Sequence, residues 1–172
     1  WTGSIGTYLT WKNLVLNALI DIRYGGQFLS MTDAYATGAG NSKRTLEGRE
    51  EGIIVDGIVE STGLENTKPV SAQEYYSTIA GTYPVGEEFL YDATYVKLRE
   101  LSIGYTFPKS WLKKTPLSYV KVSVVGRDLF NFYNAAPVNA EFAQNSQDVF
   151  QAFELAALPS TRTIGFSLNV KF

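Results

Sequence analysis

Hydrophobic residues recur at every second position in five stretches of this chain, and that period of two is the signature of a β-strand with one greasy face and one wet face. The most regular stretch is Ser160 to Phe172, where Arg162, Ile164, Phe166, Leu168, Val170 and Phe172 oppose Thr161, Thr163, Gly165, Ser167, Asn169 and Lys171. From Tyr119 to Phe130, Val120, Val122 and Val124 oppose Lys121, Ser123 and Arg127, with Val125 intruding on the polar side. From Thr94 to Phe107, Leu101, Ile103, Tyr105 and Phe107 oppose Ser102, Gly104 and Thr106. Lys97 and Arg99 break that pattern by sharing the apolar parity, so either a bulge resets the register or this end lies beyond the apolar band. Near the start, Leu14, Leu16, Ala18, Ile20 and Ile22 oppose Asn17, Asp21 and Arg23, and Ile5, Thr7, Leu9 and Trp11 oppose Gly6, Tyr8, Thr10 and Lys12. Lys12 and Asn13 between these two runs fit a tight hairpin.

The connections between the five strands alternate in length. Those after the second and fourth strands are long, about residues 25 to 92 and 132 to 159; those after the first and third are short, the Lys12 region and Pro108 to Leu117. In an antiparallel meander every second connection leaves from the same end, so the long ones share one rim and the short ones the other. Outer-membrane barrels have this asymmetry, with short periplasmic turns and long extracellular loops. Within the first long connection, Gln27 to Ala36 and Ser71 to Ala80 have helical composition, the second with Ser71 as N-cap and Glu74 three residues on.

Composition narrows the chemistry. The 172 residues contain no Cys and no His, which removes disulfides, thiolate nucleophiles, His-based triads and the usual zinc and haem ligand sets. A net charge of -2 gives no field for nucleic acid. No cofactor is expected. The carboxylates Glu47, Glu50, Glu51, Asp56 and Glu60 lack the ligand spacing of a calcium loop, and Gly38 to Gly40 lacks the spacing and the leading strand of a phosphate loop, so it reads as a plain flexible loop. No apolar run is long enough for a transmembrane helix, but a barrel strand needs only about 10 alternating residues. The start at Trp1, with neither an initiator Met nor a signal peptide, reads as part of something longer.

Alternation alone serves a soluble sandwich, with the greasy side inward, or a membrane barrel, with that side outward. The aromatics, 14% of the chain, favour lipid. Trp11, Tyr105, Phe107, Trp111 and Phe172 fall near the short-turn ends of the strands, and Tyr24, Tyr91, Tyr95, Phe130 and Phe132 near the long-loop ends, as two interfacial girdles would. The expected fold is all-β: an antiparallel meander of about five strands forming part of a large transmembrane β-barrel, with short helices in a long extracellular loop. Five strands cannot close, and lipid does not tolerate open edges.

Three stretches carry a family resemblance. The closing segment Pro159-Ser160-Thr161-Arg162-Thr163-Ile164-Gly165-Phe166-Ser167-Leu168-Asn169-Val170-Lys171-Phe172 resembles the C-terminus of the SusC/RagA family of TonB-linked outer-membrane proteins. Tyr95 to Pro108, continued by Gly126-Arg127-Asp128-Leu129-Phe130-Asn131, resembles the hairpin before it, and Ile20-Asp21-Ile22-Arg23-Tyr24-Gly25-Gly26-Gln27 resembles a preceding strand. The resemblance implies that residues 1–172 are the C-terminal segment of a transporter whose full barrel has 22 strands around a plug, the plug and most strands lying upstream. It implies nutrient import across the outer membrane of a Gram-negative bacterium, of oligosaccharide or peptide. The implied partners are a SusD-like surface lipoprotein, the TonB complex through the missing N-terminal part, the outer-membrane assembly machinery and the lipid bilayer. No enzymatic activity is implied.

The residues that would carry these roles fall into three sets. Asn17, Asp21, Arg23, Lys121, Ser123 and Arg127 face the lumen, with Asp21 and Arg23 two apart on one face and able to pair. Tyr35, Tyr75, Tyr76, Tyr83, Phe89 and Tyr91 in the first long connection offer flat faces for a sugar ring or a lid protein, or pack that connection on itself. Phe166, Leu168, Val170 and Phe172 form the terminal signal read during barrel assembly, through pairing at an open strand edge. Two other readings compete: a secreted β-sandwich binding glycans through its loop tyrosines, and a glycoside hydrolase, for which no converging carboxylate pair is evident.

Overall fold

The computed structural model describes residues 1–141 and 152–172, so the second long connection lies partly outside the described residues. In chain order the elements are β1 (Thr2–Trp11), β2 (Leu14–Arg23), β3 (Gln27–Ser30), α1 (Met31–Gly38), a 3-10 turn (Lys43–Leu46), β4 (Ile53–Ile54), β5 (Pro69–Val70), α2 (Ala72–Ile79), a 3-10 turn (Gly86–Phe89), β6 (Leu90–Asp92), β7 (Tyr95–Thr106), α3 (Lys109–Leu112), β8 (Tyr119–Asn134), β9 (Phe153–Glu154) and β10 (Thr163–Lys171). They divide into two compact units. One holds the long strands, Trp1–Gly26, Asp92–Glu141 and Leu158–Phe172; the other holds Gln27–Tyr91 and the described part of Phe142–Ala157.

The long-strand unit is a five-stranded antiparallel sheet in the order β1-β2-β7-β8-β10. Directly paired residues share a face, so the register converts the period of two into rows. Leu9, Leu16, Ile103, Val124 and Phe166 form one apolar row across all five strands, and Trp11, Leu14, Tyr105, Val122 and Leu168 the next. Behind them lie Tyr8, Asn17, Ser102, Val125 and Gly165, then Thr10, Val15, Gly104, Ser123 and Ser167. The apolar face is open: Ile164 is 71%, Leu168 66% and Val122 39% exposed. A sandwich would bury these side chains. Ten residues at about 3.3 Å each reach roughly 33 Å, enough to cross a 25 Å apolar band at a barrel's usual tilt.

A bulge in β7 resolves the broken parity. Leu19 pairs with Glu100 and Ile20 with Leu98, leaving Arg99 as the extra residue against β2; the β7–β8 register also shifts between Leu98 and Glu100. One inserted residue flips every side chain beyond it. Leu98 and Val96 therefore continue the apolar face, while Lys97 and Tyr95 join the polar one, opposite Asp21 and Arg23. On β8 the compensating irregularity contains Asp128 at φ +50°, a left-handed conformation that Asp tolerates better than most residues. Tyr95 is consequently no member of an interfacial girdle; it is buried on the polar side. The short-turn end does gather aromatics, Tyr105 against Phe107 at 5.4 Å and Phe107 against Trp111 at 5.9 Å between ring centroids.

The loop unit has its own small core of Ala34, Ala80 and Phe89, with Leu29 and Ile79 packed against it. Its first helix starts later than composition suggests, because Gln27–Ser30 pairs as the middle strand of the short sheet β6-β3-β9. The Ser30 side chain accepts from Asp33 N and caps α1, as Ser71 does from Glu74 N for α2. The Gly38 to Gly40 stretch closes α1, with the Gly40 carbonyl accepting from Thr45 Oγ1 and Arg49 Nη2, so a hydrogen-bonded helix end replaces the expected loose loop. Beyond it a hairpin arm rises on β4 and β5. Asn66 donates from N to Gly57 O and from Nδ2 to Val55 O, Val59 N donates to Leu64 O, and Ile58 bridges Glu65. At its base Gly52, at φ +81°, lies so close to the Val70 carbonyl that a Cβ would come within 2.8 Å.

Candidate functional site

The polar face concentrates its charge around the β7 bulge. Lys97 Nζ is bonded to Glu141 Oε2 and stands 3.8 Å from Asp128 Oδ1. Arg99 reaches Asp128 Oδ1 at 3.0 Å through Nη1, Asp21 Oδ2 at 2.5 Å through Nη2, and both Glu141 oxygens. Tyr95 Oη lies 3.1 Å from Glu141 Oε1 and 3.3 Å from Asp21 Oδ2, and Lys97 also reaches Ser160 Oγ at 3.5 Å. Two cations thus meet three carboxylates, and the Lys97 side chain is only 2% exposed. A buried ammonium is tolerated only when paired and hydrogen-bonded in this way.

The cluster ties chain segments together. Glu141 lies in the stretch that follows β8, in which Asn134 Nδ2 donates to the carbonyls of Ala136 and Val138 and Asn139 Oδ1 accepts from Glu141 N. Ala136 and Ala140 are buried along it. Burial alone would raise the Glu141 carboxyl, but the hydrogen bonds from Arg99 and Lys97 outweigh it and hold the group at about 2, below its ordinary 4.5. A lowered folded-state value contributes stability above pH 4.5 that is lost as the pH falls toward 2. Hydrogen exchange of residues 135–141 is therefore expected to be slow at neutral pH and to accelerate selectively near pH 2, and Glu141→Gln should accelerate it already at neutral pH; protection that ignores both changes would contradict the tie.

The other polar-face residues form a second, looser group. Asn17 Nδ2 donates to Glu100 Oε1 at 3.2 Å and Arg127 Nε to Glu100 Oε2 at 3.3 Å. Ser123 is buried beside Gly104, where a Cβ would come within 2.6 Å of its Oγ and of Lys121 Cε. Asn17, Asp21, Lys121, Ser123 and Arg127 all occupy polar-face register positions, as does Arg23. The expected Asp21–Arg23 pair is replaced: Asp21 binds Arg99, which the bulge delivers directly to it. Sequence reading missed Lys97, Arg99, Asp128 and Glu141 as a unit, although the parity break at Lys97 and Arg99 was its visible trace.

The six loop aromatics separate by burial. Phe89 is 0% exposed in the core of its unit and presents no face to a ligand, and Tyr76 is largely buried with its Oη donating to Arg44 O at 2.7 Å. Tyr91 donates to Asp33 Oδ2 at 2.6 Å, and burial followed by that bond pushes its phenol up to about 12. Tyr75 packs edge-on against Tyr76. Of the six, Tyr35 and Tyr83 are exposed, Tyr83 at 91%. An open cavity of about 570 Å³ is lined by residues including Thr37, Arg49, Gln73 and Tyr76, and neither Tyr35 nor Tyr83 is among them. Among the described residues no group of acidic side chains is arranged to hold a metal ion. Phe166, Leu168, Val170 and Phe172 lie exposed on or just beyond the outermost strand β10.

No protein-family model matches the chain. Over 169 residues, 95% of its length, it is 25% identical to TonB-dependent receptor P3 of Formosa agariphila. Its fold matches that of a chain in the RagAB peptide importer, with a TM-score of 0.65 at 17% identity over 99% of this chain in the open-open state, and 0.63 at 16% identity over 97% in the closed-closed state. The five-stranded sheet and its short helices thus share the fold of part of that importer chain, and the similarity to a TonB-dependent receptor agrees with the resemblance seen in the strands. The chain spans 15% of the length of the receptor and 17% and 16% of the two importer chains.

Proposed function

We propose that residues 1–172 are the C-terminal barrel segment of an outer-membrane nutrient importer of the SusC type, energised through TonB by a plug encoded upstream and served by a SusD-like surface lipoprotein. The observation that carries this reading is the five-strand face of continuous, exposed apolar rows backed by a polar face with a paired charge cluster. Such a sheet is stable only with lipid on one side and water or plug on the other. Asn17, Asp21, Arg23, Lys121, Ser123 and Arg127 then line the lumen, and the segment supplies wall and rim while catalysing nothing. The peptide importer among its structural neighbours makes peptides the first cargo to test, with oligosaccharides second.

The test is made on the full-length protein in a Gram-negative host. It should fractionate with the outer membrane, migrate as a heat-modifiable species, and support growth on a peptide or oligosaccharide source only when TonB is present. A soluble product, or growth indifferent to TonB, would defeat the proposal. In the same host, deleting Phe172 should lower the folded, heat-modifiable population several-fold, because the assembly machinery would lose the terminal aromatic of its signal; unchanged assembly would remove that role from Phe166, Leu168, Val170 and Phe172.

A further inference from the structure

The short-turn end of the sheet carries a charge that nothing near it in sequence balances. Residues 1–20 and 101–122 contain no Asp or Glu, yet the two turns within them hold Lys12, Lys109, Lys113 and Lys114. All four lysines are exposed, and among the described residues every ion pair involves other side chains. The two turns are neighbours: Asn13 O accepts from Thr106 N at 2.8 Å, which fastens the Lys12 turn one residue before Phe107, and Pro108 then opens the connection that carries α3. Within α3, Trp111 stands between Lys109 and the pair Lys113 and Lys114.

Packing shows to which side this connection leans. The Trp111 ring lies 5.9 Å from Phe107 and Phe107 lies 5.4 Å from Tyr105, a member of the apolar row of Trp11, Leu14, Val122 and Leu168. Lys12 Nζ sits 5.1 Å over the ring of Trp11 in that same row. The connection joins β7 and β8, whose lateral neighbours β2 and β10 are both in place. Further strands added beyond β1 therefore widen the wall without covering this turn, and a plug fills the opposite face. Ammonium groups beside indole rings at the end of an apolar band match a lipid headgroup: stems and rings lie at the acyl boundary while the charges reach the phosphate. Clustered lysines at a bilayer surface select anionic lipids over zwitterionic ones, because each adds to the attraction. Resting on the function proposed above, which puts short turns at the periplasmic rim, we infer that Lys12, Lys109, Lys113 and Lys114, with Trp11 and Trp111, form a binding site for an anionic phospholipid of the periplasmic leaflet.

The full-length importer, purified in detergent, is equilibrated with an equal mixture of phosphatidylglycerol and phosphatidylethanolamine, and the lipid that stays bound after washing is counted by mass spectrometry. The unaltered protein should retain phosphatidylglycerol in preference. Changing Lys12, Lys109, Lys113 and Lys114 together to Gln should reduce the retained phosphatidylglycerol at least about fivefold and leave phosphatidylethanolamine unchanged, and changing the same four to Arg should keep the preference, since charge and reach are restored. Washing in about 1 M salt should erase it. Retention of phosphatidylglycerol that is the same in the Gln variant would overturn the inference. An equal loss of both lipids would make the contact apolar and overturn it too, as would a loss in the Arg variant, which would assign the lysines to a specific protein contact. Fractionation with the outer membrane and heat modification are read on the same preparations, so failure of the importer reading shows there first, independently of the lipid count.

Discussion

Leu168→Arg is expected to cost about 2 kcal/mol of folded stability in a bilayer, between the midplane and interfacial penalties for a cation on the lipid face of a barrel, since its row runs through Trp11 and Tyr105 near the short-turn end, while Ser167→Arg beside it costs much less because a wet lumen solvates the charge. The two positions are adjacent in β10 and pair with Val122 and Ser123 on β8, so they share depth and strand and differ in the face alone. Urea unfolding of the full-length protein in lipid vesicles measures both. Equal costs at the two positions would mean that the apolar rows do not meet hydrocarbon, and the importer reading would go with them.

Lys97→Met is the second substitution expected to matter. It removes one of two cations from a cluster of three carboxylates and leaves Glu141 and Asp128 to Arg99 alone. Breaking a buried pair costs about 3 to 5 kcal/mol; the low end, about 3 kcal/mol, applies here, since the carboxylates keep roughly a fifth of their exposure and water can partly compensate. Lys97→Arg should recover most of the loss, because it restores the charge, whereas Glu141→Gln combined with Lys97→Met should cost less than the single change by removing the stranded anion. A double change whose cost equals the sum of the singles would show that the two groups are not coupled.

The strands were readable because each has a long run with one parity and because lipid and water demand opposite chemistry on the two faces. Leu14 to Arg23 and Ser160 to Phe172 need nothing else. The charge cluster was not readable, for two physical reasons. A bulge is an insertion in register, which sequence displays only as the misplaced pair Lys97 and Arg99, and Glu141 arrives from a connection whose path no period describes. The start of α1 was blurred for a similar reason: Gln27 to Ser30 has helical neighbours, yet Leu29 and Ser30 are drawn into a short sheet by a strand from more than 120 residues further on. Burial also decided which loop tyrosines are free, since Tyr76 and Tyr83 look alike in composition and differ only in what surrounds them.

That distant strand decides how parts can be exchanged between barrels of this fold. Glu154 is buried and accepts from Ser30 Oγ and Thr32 Oγ1, both at 2.6 Å, and from Ala157 N, while Ala156 N donates back to Thr32 Oγ1. Without Ser30 and Thr32 this carboxylate loses its side-chain donors among the described residues, so the two long connections behave as one graftable cassette. Transplanting either into a foreign barrel alone leaves Glu154 without its hydroxyl donors or Ser30 and Thr32 without their buried carboxylate acceptor, and only their joint transfer carries an intact surface into a new host.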